Sequence, residues 1–140
     1  MPPVPVFQAA STDTPLPTID LELLLQQFAA KGYKVSKTGL YIVFCIKRFG
    51  QNRFFREKNS TVVRFPVRRL ELGMLGDVSG SWDLVAAIAY DGDVKSGRYK
   101  AFVHREAGDK YFELSDLLVS EVLPQVIPLS EVCQLVYRRS

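Results

Sequence analysis

The sequence predicts an α+β fold, with one N-terminal helix and a dominant antiparallel β-sheet. Three observations support this fold class. One early stretch has leucines at helical spacing, the rest of the chain is rich in β-branched and aromatic stretches, and Gly, Asp and Asn turn signals link most of these stretches as hairpins. The chain has 140 residues, which is the size of one domain.

The N-terminal part divides into an arm and a helix. Residues 1–17 hold five of the eight prolines, so we expect an extended arm that is either docked on the domain or mobile. Residues 18–140 are expected to form the folded domain. Thr18 or Asp20 can cap a helix that ends at Gly32. The apolar face of this helix consists of Leu21, Leu24, Leu25 and Phe28.

Beyond Gly39 the pattern changes to β-strands. Residues 41–46 are a continuous apolar run, typical of a central strand covered on both faces. Residues 58–60 separate two short β-rich segments, which predicts a hairpin or a tight return at that point. The remaining predicted strands are Trp82 to Tyr90, Arg98 to His104, Tyr111 to Leu114 and Glu131 to Arg139.

The composition excludes several classes of protein. No apolar run approaches the about 20 residues that a membrane-spanning helix needs, and no secretory signal pattern begins the chain, so we expect an intracellular soluble protein. The two cysteines, Cys45 and Cys133, lie in apolar runs and are expected to pack in the core. Their spacing predicts neither a disulfide framework nor a metal site.

Positive charge is concentrated in one segment. The formal net charge is +3, and residues 47–69 carry eight basic residues against one acid. This segment could contact RNA or a protein partner, and its candidate contact residues are Lys47, Arg48, Arg53, Arg56 and Lys58. The alternative is a twisted hairpin that has a basic polar face and turns its phenylalanines into the core.

Four segments, taken in order, resemble the C-terminal half of the ubiquitin-specific proteases. These segments are Ile42 to Phe49, Trp82 to Tyr99, Lys110 to Val119 and Glu131 to Arg138. The resemblance covers roughly residues 40–139 and implies the palm of that papain-like fold without its thumb. A sheet without the thumb should expose apolar surface, which we expect the Pro-rich arm or a partner to cover.

The departures from the family pattern concern the catalytic residues. The position of the catalytic histidine is occupied by Arg98, the position of the Asp or Asn that orients it by Ser115, and Asp116 follows. No segment resembles the one that carries the catalytic cysteine. An arginine stays protonated at physiological pH, so it cannot take the proton of a thiol. The resemblance therefore implies an inactive domain without cofactor or metal. His104 is expected to be an incidental residue at a strand end.

Within the family, the chain is most similar to its inactive branch, which takes part in assembly of the spliceosomal tri-snRNP. This similarity includes Phe44 to Phe49 and Leu123 to Glu131. It implies a nuclear protein-interaction module with spliceosomal partners. The alternatives are a weak ubiquitin-binding pseudoprotease, an active hydrolase or one half of a split hydrolase, and an RNA contact through residues 47–69.

Overall fold

The structure, a computed structural model, describes residues 17–51, 56–92 and 95–140, with the backbone alone described for 49–51 and 56–58. It contains one α-helix, α1 (Leu21–Ala30), in this described part of the chain. The strands are β1 (Thr18–Asp20), β2 (Tyr41–Cys45), β3 (Phe49–Gln51), β4 (Arg56–Lys58), β5 (Val62–Arg64), β6 (Leu70–Glu71), β7 (Ser81–Gly92), β8 (Gly97–Arg105), β9 (Lys110–Ser115), β10 (Leu118–Val122) and β11 (Val132–Arg139).

A single antiparallel sheet dominates the molecule, in the order β10-β9-β8-β7-β11-β2, with β6 paired to β7. The predicted α+β class is confirmed. Consecutive strands from β7 to β10 are joined by short connections, which lets each lie beside the next. The long strand β7 lies at the centre of this order and pairs with both β8 and β11.

The predicted helix is present, but its N-terminus differs from expectation. Asp20 is the N-cap residue and its side chain makes no capping hydrogen bond. Its carboxylate instead accepts a hydrogen bond from Arg64 Nε at 2.8 Å. The helix ends before Gly32, whose φ of 92° is a conformation that glycine adopts at helix C-termini.

The core lies between α1 and one face of the main sheet. Three leucines of α1 are buried, and the largest fully buried side chains of the sheet are Trp82 and Tyr137. The Tyr137 hydroxyl donates a hydrogen bond to the Pro66 carbonyl at 2.7 Å. Burial raises the pKa of Tyr137, because the phenolate would lose its hydration.

One prediction about the strands is wrong, and one of two alternatives for another is not observed. β2 is an edge strand and not a central one, and alternate side chains of the apolar run at residues 41–46, including Tyr41 and Val43, are exposed on one face of the sheet. Of the hairpin and the tight return predicted at residues 58–60, the hairpin is not observed, because the strands on either side do not pair with each other. β4 pairs with β3, whereas β5 runs parallel to β1. The segment between β4 and β5 instead turns inward, where Asn59 and Thr61 are buried.

The cysteines are not core residues, contrary to expectation. Cys45 is exposed and Cys133 is half-buried. Cys133 Sγ donates to the Ile88 carbonyl at 3.4 Å. Both side chains line a cavity of about 520 Å³ together with Tyr99. Cys45 is exposed because its side chain lies on the same uncovered face of the sheet as those of Tyr41 and Val43.

Exposed apolar side chains extend over the sheet face opposite α1, among them Tyr41, Val43, Tyr99 and Val103. The arm that we expect to cover such a surface lies outside the described residues, apart from Pro17. In the described segments, no helix is long and apolar enough to cross a membrane. No cluster of three or more His, Cys, Asp and Glu residues suited to a metal ion occurs there either.

Candidate functional site

The candidate site lies at the end of the β7–β8 hairpin, around Gly97. A side chain at this position would place its Cβ 2.5 Å from the Tyr90 hydroxyl and 2.6 Å from the Asp91 carbonyl oxygen. These contacts are too close for any residue except glycine unless the hairpin shifts. Tyr90 also packs against Tyr99, with ring centroids 5.0 Å apart. The hairpin end is therefore closely packed, and it presents the adjacent Arg98 to solvent.

Arg98 and Asp116 form an ion pair at this end of the sheet. Arg98 Nη1 lies 3.9 Å from Asp116 Oδ2, and both side chains are largely exposed. β9 runs antiparallel to β8, so its last residue, Ser115, and the turn that follows lie near the N-terminal end of β8. The structure thus brings Arg98, at the position where the resemblance places the catalytic histidine, close to the carboxylate of Asp116. Asp116 follows Ser115, which occupies the position of the residue that orients the histidine in the resemblance.

The single histidine lies elsewhere. His104 is six residues beyond Arg98 on β8, which corresponds to about 20 Å along an extended strand. Its Nε2 lies 2.7 Å from Asp109 Oδ1, and its ring packs on Tyr111 with centroids 4.6 Å apart. This hydrogen bond is the main reason why the pKa of Asp109 is lowered, and Arg68 adds to the effect. His104 therefore belongs to a separate polar cluster and cannot serve as a base for the Arg98 site.

Arg48 is not part of an exposed basic surface, which corrects one of the predicted contact residues. Only 3% of the residue is exposed. Its Nε donates to the Val132 carbonyl at 2.8 Å, and Nη2 donates to the Leu129 carbonyl at 2.8 Å. Nη1 donates to the carbonyls of Asn59, at 3.3 Å, and Thr61. The guanidinium binds four backbone carbonyls and holds the turn after β4 against the start of β11.

The acceptors of Arg48 are themselves held by a local turn. The Asn59 side chain accepts hydrogen bonds from the backbone N–H of Thr61 at 3.1 Å and from its hydroxyl at 2.6 Å. Such a side-chain turn fixes the carbonyls that face the guanidinium. Burial is the main cause that lowers the pKa of Arg48, to about 10. At neutral pH it therefore remains a charged, structural residue.

The rest of the predicted basic surface is only partly visible. Lys47 is exposed, whereas Arg53 lies outside the described residues and the side chains of Arg56 and Lys58 are not described. Two further arginines of the segment are already paired, Arg64 with Asp20 and Arg68 with Asp109. An RNA or partner contact through this segment stays a prediction.

Sequence reasoning missed an exposed apolar segment next to the Arg98–Asp116 pair. Leu117, Leu118 and Val119 are 98%, 72% and 66% exposed. They occupy the β9–β10 turn and the start of β10, at the edge of the main sheet. The signal was present in the sequence, because three consecutive apolar residues follow the turn-forming Asp116.

Comparison with known sequences identifies the family. A family model described as ubiquitin carboxyl-terminal hydrolase matches residues 22–137. The chain belongs to the ubiquitin carboxyl-terminal hydrolase family. This family member is 34% identical over 99% of its length to ubiquitin carboxyl-terminal hydrolase 39 of Homo sapiens, of which it covers 26%. It is 23% identical over its full length to the probable mRNA-splicing protein ubp10 of Schizosaccharomyces pombe, of which it covers 32%.

Solved structures support the same fold for this ubiquitin carboxyl-terminal hydrolase family chain. An essential yeast splicing factor matches with a TM-score of 0.78 and 17% identity, over 98% of this chain and 35% of the splicing factor. The Ubp8-Sgf11-Sgf73-Sus1 SAGA DUB module matches with a TM-score of 0.73 and 20% identity, over 88% of this chain and 32% of the matched chain. The chain thus spans about a quarter to a third of the length of these relatives.

Proposed function

We propose that this chain is a catalytically inactive member of its family that acts as a protein-interaction module in pre-mRNA splicing, within the nuclear tri-snRNP. The observation that carries the proposal is the Arg98–Asp116 ion pair at the former catalytic end of the sheet. The similarity to a probable mRNA-splicing protein and to a yeast splicing factor supports the assignment to splicing.

The chemistry of the pair supports the absence of hydrolysis. A cysteine protease needs a base that titrates near neutral pH, so that it can take the proton of the thiol and later return it to the leaving amine. An arginine side chain cannot act as such a base, and Arg98 lies beside Asp116. His104 lies at the other end of β8, where it is hydrogen-bonded to Asp109.

A fluorogenic ubiquitin substrate tests the absence of hydrolysis. We expect no turnover by the unmodified chain, nor by an Arg98→His/Ser115→Asp variant that restores the two family residue types. No segment of the sequence resembles the one that carries the family's catalytic cysteine, so we do not expect the two substitutions to restore activity. Turnover by the unmodified chain, above that of a heat-denatured sample, would overturn the inactive assignment.

Association with splicing particles tests the other half of the proposal. A tagged chain, expressed in cells of its source organism, should be found in the nucleus by fluorescence microscopy. It should also sediment with tri-snRNP proteins in a glycerol gradient. The Gly97→Ala variant, in which the hairpin end must shift, provides a comparison in which the surface around Arg98 is disturbed. A cytoplasmic signal, or sedimentation as free protein alone, would contradict a splicing role.

A second candidate function is weak ubiquitin binding. The observation that favours it is the exposed Gly97 to Tyr99 segment, together with the fold shared with a SAGA DUB module that was solved bound to ubiquitin aldehyde, at a TM-score of 0.64. Titration of the chain into isotope-labelled ubiquitin, followed by amide chemical shifts, tests this function. No shift at millimolar concentrations of the chain would rule it out.

An RNA contact through residues 47–69 is a separate prediction. Because phosphate contacts release counterions, the affinity should fall steeply as salt is raised. The Arg53→Ala/Arg56→Ala/Lys58→Ala variant should bind RNA more weakly and with a shallower salt dependence. Arg48 is left unchanged, because its buried side chain holds the fold. Equal RNA affinity of the wild type and the triple variant would exclude this segment.

A further inference from the structure

The unusual feature of β10 is that the first half of this exposed edge strand is apolar. β10 pairs with β9 along one flank, and no strand of the described residues pairs with its other flank. An edge strand presents unpaired N–H and C=O groups at every second residue. Proteins usually protect such edges with lysine, proline or a bulge. Here Leu118 and Val119 occupy the edge, and Leu117 precedes them in the turn.

The charged residues near this edge lie in oppositely charged pairs. Lys110 Nζ lies 3.7 Å from Glu121 Oε1, at the C-terminal half of β10. Arg98 is paired with Asp116 at the N-terminal end. Lys100 Nζ lies 3.9 Å from Glu113 Oε1. A binding partner would therefore meet apolar side chains and backbone groups, with little net charge to attract either a nucleic acid or an acidic peptide.

A small cavity lies at the C-terminal end of the same edge. It has a volume of about 250 Å³, and the apolar part of its lining includes Tyr111, Val122, Leu123 and Pro124. Its polar side consists of two oppositely charged pairs, Arg68 with Asp109 and Lys110 with Glu121. When a peptide adds to a sheet edge, main-chain hydrogen bonds provide affinity and pockets for alternate side chains provide specificity. The edge supplies the first of these and the cavity supplies the second.

We propose that β10 binds an extended, uncharged, apolar segment of a partner protein by β-strand addition, with one side chain of that segment in the cavity beside Leu123. This inference rests on the proposed interaction function and names the kind of partner. A second copy of the chain is a poorer occupant, because it would place the polar Ser120 and Glu121 of its own β10 against this edge.

A peptide library provides the probe. Random dodecapeptides displayed on phage are selected against the immobilised chain, and enriched sequences are synthesised and measured by fluorescence anisotropy. We expect apolar residues at alternate positions and few charges. Binding should be at least tenfold weaker to the Val119→Lys variant and to the Leu118→Glu variant, because a charge would then lie against the added strand. N-methylation of alternate peptide amides should cause a similar loss.

Val43→Lys is the matched control. Val43 is also a valine on an edge strand, β2, and is 53% exposed. This variant should bind the selected peptides within twofold of the wild type. Amide spectra of all three variants establish that the fold is kept. In the spectrum of the wild type, the peptide should shift the β10 amides first.

Three outcomes would overturn the proposal. One is the absence of any enriched peptide, and another is equal binding of enriched peptides to the wild type and Val119→Lys. The third is a dimer in sedimentation equilibrium that Val119→Lys dissociates, because a second copy would then occupy the edge. Failure here together with intact tri-snRNP association would leave the proposed function in place. Peptide binding by a chain that does not associate with splicing particles would refute only the splicing role.

Discussion

Arg48 allows the stability of this fold to be tested at one side chain. Replacing it by methionine keeps a long apolar stem but removes four hydrogen bonds to the carbonyls of Val132, Leu129, Asn59 and Thr61. Hydrogen bonds from a charged donor contribute about 1.5 kcal/mol each at the low end, and therefore roughly 6 kcal/mol together. Burial lowers the pKa of Arg48 to about 10. This shift corresponds to a free-energy cost of roughly 3 kcal/mol for burying the charged group, and the methionine variant would not carry this cost.

The difference predicts that Arg48→Met lowers the free energy of unfolding by about 3 kcal/mol. The assay is urea denaturation followed by circular dichroism, and the matching fall in Tm is about 10 °C for a domain of this size. Arg48→Lys should lose a comparable amount, because a single ammonium cannot reach four carbonyls in a planar arrangement. Since the pKa of Arg48 stays well above neutral, the loss should be the same at pH 6 and pH 8.

Arg64→Met is the matched control, because Arg64 is exposed and its ion pair with Asp20 is exposed as well. Exposed pairs contribute only about 0.5 kcal/mol, so this variant should remain close to the wild type. A loss below about 1 kcal/mol for Arg48→Met would refute the reasoning. It would mean that water or a repacked side chain satisfies the carbonyls as well as the guanidinium does.

Three further predictions follow from the geometry. Gly97→Ala should destabilise the fold by about 1 to 3 kcal/mol in urea, because the new Cβ would overlap the Asp91 carbonyl; Gly39→Ala, which meets no atom within 4 Å, is the control and should stay within about 0.5 kcal/mol. Tyr137→Phe should cost about 1 to 2 kcal/mol by leaving the Pro66 carbonyl without its donor. Because the pKa of Tyr137 is raised in the fold, the wild type should also lose stability as pH rises above about 10, and the Phe variant should lose less; equal slopes in urea titrations at alkaline pH would contradict this. The pKa of the Asp109 carboxyl, measured by NMR, should lie below its ordinary value and should rise in His104→Phe, which keeps the ring on Tyr111 but removes the hydrogen bond. The stability linked to Asp109 is present above its ordinary pKa and is lost as pH falls through the lowered value, and an unchanged carboxyl pKa in the variant would show that His104 is not its cause.

The sequence predicted the helix and the individual strands better than it predicted which strands lie side by side. The α1 helix and the strands β7, β8, β9 and β11 depend on local patterns, namely leucine spacing, β-branched residues and Gly or Asp turns, and these patterns are visible in single segments. The position of β2 at the sheet edge depends on its pairing with β11, about 90 residues later. An apolar strand looks alike in both settings, so the sequence could not decide between edge and centre.

The same distinction explains the candidate site. The replacement of the catalytic residue types by Arg98 and Ser115 is a fact of the sequence, and the approach of Asp116 to Arg98 follows from the β8–β9 hairpin that the sequence predicted. The burial of Arg48 could not be predicted, because Lys47 and Arg48 are adjacent and chemically alike. Only the fold decides that Arg48 meets carbonyls from two distant segments while Lys47 meets solvent.

The ion pair and the apolar edge lie in the same turn but use different residues, so mutations can separate their roles. Asp116 forms the ion pair with Arg98, and Leu117 begins the exposed segment that continues into β10. If the turn binds a partner mainly through charge, both added salt and Asp116→Asn should weaken the binding, because Asp116→Asn removes the carboxylate that pairs with Arg98. If it acts through strand addition, Asp116→Asn should leave peptide affinity within twofold while Val119→Lys removes it. The uncharged edge and its adjacent cavity favour the second result.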